Sequence, residues 1–228
     1  MRCAERKVEN KKMKKQSIYR FGIYIAGMVV LALGITLNTK SGMGASAIIS
    51  VPYTVSQGTG LDFSNLTLIT YCLLVVLQFI VKGKQRQWSD VLQIVVSIVF
   101  TRFMSLFQNG IAYKSGNNIV TDLAVLAFGI IFTGVGAAIT VDMQIMPNPG
   151  DGIVNAVSMR SGKELGLCKN CIDVFCVACS LAVGFAFGNV LLGVGLGTIL
   201  SMIGVGRVIS LFNGAAKKPL QALAGIKS

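Results

Sequence analysis

Residues 21–39 read FGIYIAGMVVLALGITLNT and contain no charged side chain. A helix of this length, at about 1.5 Å per residue, covers nearly the whole of a ~30 Å hydrocarbon core. The interior of a bilayer offers no water to the backbone, and a helix satisfies its own N–H and C=O groups. This stretch therefore predicts a transmembrane helix and sets the class of the protein.

The rest of the chain repeats this pattern. Apolar residues make up 53% of the sequence and charged residues 13%, whereas an average soluble domain carries about 25% charged residues. The mean hydropathy is +0.69. We predict an all-α membrane protein with about six transmembrane helices, near residues 19–39, 64–81, 89–111, 121–142, 166–187 and 189–213.

The basic residues are concentrated at the N-terminus. Eight of the 21 Lys and Arg residues lie within the first twenty residues, in a chain whose net charge is +12. A cluster of this kind beside a membrane helix attracts anionic lipid, and its placement argues against nucleic acid as a partner. We predict a basic cytoplasmic tail over 1–18 and a second cytoplasmic tail over 215–228, with the lipid bilayer as a partner.

Two shorter segments, 43–58 and 149–162, are too polar to face lipid. The first carries several hydroxyl and amide side chains, and the second carries Asp151 and Arg160. Half-length helices persist at membrane depth only where they are buried in protein or line a wet cavity. We predict that both segments re-enter the membrane as short helices without crossing it.

Short motifs of the first half recur, in the same order, in the second half at offsets of 105 to 108 residues. Several ordered matches at nearly one offset predict a tandem duplication, with repeats over 19–112 and 113–214. The matches are Phe21-Gly22-Ile23 with Phe128-Gly129-Ile130, Gly42 and Gly44 with Gly150 and Gly152, Gly60-Leu61 with Gly166-Leu167, and Arg102 with Arg207.

The loop charges test how the repeats are oriented. If each repeat crosses the membrane three times, the loop with Lys82, Lys84 and Arg86 is cytoplasmic, and only Lys40 and Lys114 lie outside. Four crossings per repeat would export that basic loop. Because basic loops stay in the cytoplasm, we predict a 3+3 inverted repeat in the bacterial inner membrane, with both termini cytoplasmic.

The starts of the two short segments form the predicted solute site. Inverted repeats with short or broken helices are typical of transporters. A helix N-terminus inside the membrane directs N–H groups and about half a positive charge toward a ligand. The alternative role of each glycine is to turn the chain. The candidate residues are Gly42, Gly44, Ser46, Asn148, Gly150, Asp151 and Gly152.

Charged residues within or beside the spans are further candidates. Arg102 and Arg207 occupy matching positions, where they either line the mouths of a pathway and attract anions or extend to the lipid headgroups. We include both in the predicted solute-binding set. Asp151 and Asp173 are candidates for proton or cation coupling, or for pairing with these arginines.

Enzymatic and metal chemistry find little support in the sequence. The chain has no histidine, which removes a Ser–His–Asp set, and it has no P-loop motif for ATP hydrolysis. Cys168 and Cys171 form a Cys-x-x-Cys pair that is either a packing feature or a redox or metal pair, but no second pair stands at zinc-site spacing. We predict no enzyme activity, no metal and no cofactor.

The loop after the first helix has the pattern Gly42-x-Gly44-x-Ser46, and the first short segment ends in a Gly60-Leu61 turn. With these motifs the chain resembles the YczE/YitT-like family of bacterial integral membrane proteins over nearly its whole membrane region. Many members carry Pro-Trp-Asp after the first Gly-x-Gly, where this chain has Ala-Ser-Ala. The resemblance implies a multipass bacterial membrane protein and supplies no substrate.

Three functions fit these features. The first is a small secondary transporter or channel-like permease for a small solute, with an anionic solute favoured by the arginines. The second is a substrate-binding membrane subunit of a larger transporter. The third is a non-transporting membrane protein, either an assembly factor or a redox protein that uses the Cys-x-x-Cys pair. A homo-oligomer is compatible with each of them.

Overall fold

The computed structural model describes residues 2–85, 87–116 and 118–226, and within them the chain is helical without a strand. The all-helical structure confirms the predicted all-α class. Arg86 and the last two residues of the predicted C-terminal tail lie outside the described residues. The helices are α1 (Arg2–Lys40), α2 (Ala47–Thr59), α3 (Phe63–Lys82), α4 (Leu92–Gly110), α5 (Ile119–Asp142), α6 (Pro149–Ser161), α7 (Leu165–Ala186) and α8 (Leu196–Leu223), with 3₁₀ turns at Gly83–Gln85 and Trp88–Val91.

Six helices are long and apolar enough to cross a membrane, as predicted. Their membrane-compatible stretches are Gln16–Lys40, Phe63–Gln85, Leu92–Gly110, Ile119–Asp142, Leu165–Ala186 and Leu196–Leu223. The two others, α2 and α6, have 13 residues each. At ~1.5 Å per residue a helix of that length is shorter than a ~30 Å hydrocarbon core.

The distribution of polarity is that of a protein solvated by lipid. Large apolar side chains such as Leu73, Phe175 and Leu211 are exposed on the outer faces, whereas Gln78 and Gln93 are fully buried. A water-soluble protein with this surface would expose a continuous apolar patch far above the usual size. The chain is therefore an integral, multipass membrane protein.

Helices α1 and α5 form the central pair, and they pack antiparallel through glycines. A Cβ atom on Gly129 would lie 2.8 Å from the Asn38 nitrogen, so the two backbones approach as closely as small residues allow. Residue numbers along α1 rise as those of their partners on α5 fall. The contacting pairs are Gly27 with Ile139, Gly34 with Thr133, Gly136 with Leu31, and Gly129 with Asn38.

Each short helix packs against a span from the other half of the chain. Helix α2 contacts α7, where Ser180 Oγ donates to the Ser50 carbonyl at 3.2 Å. Helix α6 contacts α3, where Asn148 Nδ2 donates to Tyr71 Oη at 3.3 Å. The exchange is reciprocal, so each half of the chain completes the environment of the other half's short helix.

The turns at the ends of α2 and α6 are nearly identical. Gly60 ends α2 with φ 73°, and Gly162, 102 residues later, ends α6 with φ 66°. Ser56 Oγ donates to the Leu61 carbonyl at 2.7 Å, and Ser158 Oγ donates to the Lys163 carbonyl at the same distance. The predicted match of Gly60-Leu61 with Gly166-Leu167 was therefore wrong, because the left-handed helix ends select Gly162.

The turns that follow α1 and α5 show the same 102-residue spacing. Gly42 has φ 68°, and Gln144 has φ 48° at the equivalent point after α5. By contrast, Gly150 and Gly152 lie inside the first turn of α6 and do not correspond to Gly42 and Gly44. Glutamine holds a conformation that glycine favours, so this equivalence leaves no trace in residue identity.

The last span differs from the prediction at both ends. It was predicted over 189–213, but α8 starts at Leu196 and ends at Leu223. Gly188 has φ 80°, and the irregular chain that follows brings Gly193 against Thr54 of α2. At its far end α8 continues through most of the predicted tail 215–228, as α1 does through most of the predicted tail 1–18.

Interhelical contacts bring most basic loops to one end of the bundle, which we call the basic end. Arg20 at this end of α1 donates from Nε to the Met143 carbonyl at 2.6 Å, just after α5 ends. Lys217 near the end of α8 lies 3.5 Å from Asp142 at the end of α5. The same end holds Lys82, Lys84, Arg160 and Lys163, and the opposite end holds Lys40, Asp62, Lys114 and Asp122.

Candidate functional site

The starts of α2 and α6 meet at a cavity of about 230 Å³, which we call the central cavity. A Cβ atom on Gly150 of α6 would lie 2.9 Å from Ile48 Cδ1 of α2, so the two helix starts touch. Ser46 and Asn148, the N-caps of these helices, both line the cavity. A site of this kind exposes the N–H groups that a helix leaves unpaired in its first turn.

The start of α6 is capped and acidic. Asn148 Oδ1 accepts the Gly150 N–H at 3.2 Å, and Asp151 stands in the first turn. Asp151 lines the central cavity, and among the described residues its carboxylate has no ion pair and no hydrogen-bond partner. A half-buried carboxylate without a partner is a binding group for a cation or a proton.

The start of α2 has neither of these features. Ser46 occupies the N-cap position but makes no side-chain cap hydrogen bond, and the first turn has no acidic residue. Ala47 and Ile48 follow along the cavity wall. An uncapped N-terminus that faces a cavity is suited to a negatively charged group.

Helix α7 contributes an ion pair to the cavity wall. Lys169 Nζ lies 3.3 Å from Asp173 Oδ2, one helical turn away. The Asp173 side chain is buried, whereas that of Lys169 is 46% exposed. Lys169 therefore contacts Asp173 directly, whereas its charge reaches Asp151 only at longer range, without an ion-pair contact.

A second cavity, of about 410 Å³, adjoins the first and lies toward the basic end. Gln144 and Leu165, from the turn after α5 and the first residue of α7, lie on its wall. Asp151 and Lys169 line both cavities. The charged groups therefore stand at the junction between the centre of the bundle and its basic end.

The structure brings together four of the predicted site residues, Ser46, Asn148, Gly150 and Asp151. The other three glycines have packing or turn roles. Gly42 and Gly44 both have positive φ, and a Cβ atom on Gly44 would lie 2.6 Å from the Gly195 nitrogen. A Cβ atom on Gly152 would overlap Gln78 and Gln93.

The two predicted arginines lie away from the central cavity. Arg102 on α4 and Arg207 on α8 are both exposed, and neither lines that cavity. Exposed arginines on spans reach the headgroups with their long side chains. Arg102 and Arg207 therefore do not support an anionic solute in this cavity.

Three residues that line the cavity, Lys169, Tyr71 and Thr133, were not predicted to be site residues. Lys169 looked like a loop charge, although its spacing from Asp173 places both on one face of a helix. Tyr71 and Thr133 line the cavity from α3 and α5, and no sequence pattern distinguishes them from packing residues.

The Cys-x-x-Cys pair lies on α7 with its two thiols in different surroundings. Cys168 is buried and Cys171 is exposed, and both are free. Cys168 Sγ lies 3.7 Å from Ser161 Oγ, which places it beneath the turn between α6 and α7. The packing interpretation of this pair stays a prediction.

Comparison with known sequences agrees with a membrane protein. The family described as "Family of unknown function (DUF6198)" matches residues 18–214. The "Uncharacterized membrane protein YczE" of Bacillus subtilis (strain 168) is 22% identical over 185 residues, which cover 80% of this chain and 84% of the relative. No solved structure shows a significant match. Because the family match spans most of its length, the chain belongs to DUF6198, a family of YczE-like membrane proteins.

Proposed function

We propose that this membrane protein is a small secondary transporter, or a channel-like permease, for a small polar solute. The observation that carries the proposal is the central cavity, where the starts of two half-length helices meet beside an unpaired carboxylate. Solute sites between short or broken helices are the recurrent design of secondary transporters.

An inverted repeat underlies this proposal. The antiparallel packing of α1 and α5 supports it, because α1, α3 and α4 are the spans that precede α5. Three crossings turn the chain over, whereas a fourth crossing by α2 would make α5 parallel to α1. The short helices are then re-entrant, and each begins near mid-depth.

The proposed topology places the basic end in the cytoplasm of a bacterial cell, with both chain termini on that side. The loop charges support this orientation, since the basic end gathers Lys82, Lys84, Arg160 and Lys163. Positively charged loops are retained on the cytoplasmic side during insertion.

In this orientation the described conformation has the features of an inward-facing permease. The central cavity adjoins the cavity toward the basic end. Toward the opposite end, Gly44 packs against Gly195, and Thr54 hydrogen-bonds with Ser180. An outward-facing state requires these two contacts to open and the junction at Asp151 to close.

Reconstitution tests the proposal. A solute found by thermal-shift screening of the purified protein should exchange across proteoliposomes that contain only this chain, and Asp151→Asn should reduce the exchange at least tenfold. Asp90→Asn, which removes the Lys82–Asp90 ion pair at 2.9 Å, is the matched control and should leave exchange unchanged.

The same assay separates the alternative functions. Binding without flux in the isolated protein would contradict the transporter and favour a substrate-binding subunit of a larger assembly. Activity that is lost only in a Cys168→Ala/Cys171→Ala variant, and that follows the redox poise, would favour the redox protein.

A further inference from the structure

We propose that the solute is a small zwitterion, with its cationic group beside Asp151 and its anionic group at the start of α2. This assignment rests on the transport function proposed above and specifies the ligand of the same cavity. Two independent features of the cavity wall carry it, and the size of the cavity limits the ligand.

The first feature is the unpaired carboxylate of Asp151. Asp62 provides the contrast, because its Oδ1 accepts the Asn65 N–H at 2.8 Å and caps α3. Asp151 makes no such bond to its own helix, and Lys169, whose charge also reaches Asp151, has its direct contact with Asp173. A carboxylate inside a membrane protein is costly unless a cationic group or a proton balances it.

The second feature is the free N-terminus of α2. Its N-cap, Ser46, makes no side-chain cap bond, and its first turn carries no acid. Helix α6 differs, since Asn148 caps it and Asp151 supplies a negative charge to its first turn. Of the two helix starts, only that of α2 has its N–H groups and the positive end of its helix dipole available for an anionic group.

The size of the central cavity limits the ligand. The Thr133 hydroxyl is not one of its binding groups, because Oγ1 is buried against Gly34 in the contact between α1 and α5. The volume of about 230 Å³ suits a ligand below drug size.

These features divide the cavity wall by charge. Asp151 and the start of α2 lie on opposite short helices, which touch where Gly150 meets Ile48. A ligand with both charges satisfies both helices at once, whereas an amine or a carboxylate of the same size satisfies one. The binding energy of a zwitterion therefore exceeds that of either singly charged analogue.

The test uses sets of ligands matched in chain length, measured by calorimetry on the purified protein in detergent. The ω-amino acids from glycine to 5-aminovalerate are each compared with the amine and the carboxylate that have the same carbon chain. At least one ω-amino acid should bind roughly tenfold or more tightly than both of its analogues, a difference of about 1.4 kcal/mol. If no zwitterion in the series exceeds its analogues, the proposal is overturned.

Two variants assign the charges to their helices. Asp151→Asn should weaken the zwitterion and the amine by roughly tenfold or more but spare the carboxylate. Ser46→Asp, which adds a favourable N-cap to α2, should weaken the zwitterion and the carboxylate but spare the amine. Asp62→Asn is the control, because asparagine also caps helices and Asp62 lies at the opposite end of the bundle.

The outcomes keep the two proposals apart. Binding in detergent needs no transport, so zwitterion binding without flux contradicts the permease and leaves the ligand assignment standing. Flux of a solute that is equal in wild type, Asp151→Asn and Ser46→Asp contradicts the assignment, and it leaves a permease whose solute passes elsewhere than at Asp151. If Ser46→Asp lowers the unfolding temperature, its binding data are set aside. The assignment is then tested by Asp151→Asn alone, which should weaken binding of the zwitterion but not of the carboxylate.

Discussion

Helices α2 and α6 have the same length and the same type of ending, and each packs against a span from the other half of the chain. They differ in the polar groups at their starts. Both have 13 residues, and both end at a glycine in the left-handed region. Their starts differ, because α6 has the Asn148 cap and Asp151 while α2 has neither. Two short helices of the same length and ending thus present different groups to the cavity, and we propose that the α6 start suits a cation and the α2 start an anion.

The flanks of the two helices differ as well. On the α2 side the hydroxyls of Thr54 and Ser180 bond each other and the Ser50 carbonyl. On the α6 side Gln78 and Gln93 are fully buried, and all four polar atoms of their amides lack a hydrogen-bond partner in the described chain. Buried amides without partners cost about 1–3 kcal/mol each, so the α6 contact is the less stable of the two.

Labelling of the helix ends gives the largest expected effect, because accessibility is all or none. In a cysteine-free background, Thr59→Cys at the end of α2 should react with an impermeant maleimide from outside the cell. Ser161→Cys at the end of α6 should react only after the membrane is opened. Both positions are exposed, and Gln85→Cys should behave as Ser161→Cys does. Reaction of Thr59→Cys and Ser161→Cys from the same side would contradict the inverted repeat.

Alanine substitutions at the two helix starts should differ in cost. Gly44→Ala should destabilise the protein by about 2–4 kcal/mol, because the residue has φ 103° and its Cβ would meet the Gly195 backbone. Gly152→Ala should cost less, since its Cβ would meet the movable end of the Gln78 side chain. Denaturation in detergent measures both.

Gly206→Ala is the matched control, because a Cβ atom there meets nothing within 4 Å. It should be neutral or slightly stabilising, as expected for alanine in place of glycine within a helix. Equal losses at Gly44 and Gly152 would mean that the Gln78 side chain is as fixed as the backbone beside α2.

Removal of polar groups from the flanks should have opposite signs on the two sides. Gln78→Met/Gln93→Met replaces both unpartnered amides with apolar side chains of similar shape and should stabilise the protein by about 2 kcal/mol, the low end of the cost of two such amides. Ser180→Ala should destabilise it by about 0.6–1 kcal/mol, the range of hydrogen bonds between membrane helices. A loss of stability in the double methionine variant would reveal that the glutamines hold bound water or solute.

The sequence predicts the six spans because a long apolar run is a property of one segment alone. It predicts the short helices for a similar reason, since their polarity is visible locally. The 102-residue spacing of the matching turns was missed because it is a property of dihedral angles, which Gly42 shares with Gln144 although their side chains differ. The last span starts at Leu196 and not at residue 189 as predicted. Its late start depends on the contact of Gly193 with Thr54 of another helix, which one segment alone does not reveal.

The candidate site was predictable only in part, and for the same reason. Ser46, Asn148, Gly150 and Asp151 follow from the idea that two helix starts meet, and the cavity contains them. Matching positions in the two halves suggested Arg102 and Arg207, but position along a span does not say which face points inward. Lys169 and Thr133 belong to the cavity through the packing of α7 and α5, which is a tertiary property.

The smallest expected effect concerns the two N-caps. Asn148→Ala should cost about 1 kcal/mol, the typical loss when a capping side chain is removed. That asparagine accepts the Gly150 N–H and donates to Tyr71. Ser46→Ala should cost no more than a few tenths of a kcal/mol, because Ser46 makes no side-chain cap bond.

Thermal and chemical denaturation of the two alanine variants, compared in one detergent, measure this difference. A Ser46→Ala loss as large as that of Asn148→Ala would show that the serine hydroxyl caps α2 in the folded protein. The N–H groups of α2 would then be occupied, and the start of that helix would have no free site for an anionic group. A small loss at Ser46 beside a large loss at Asn148 instead leaves the α2 start open to the ligand, as the division of charge between the two short helices requires.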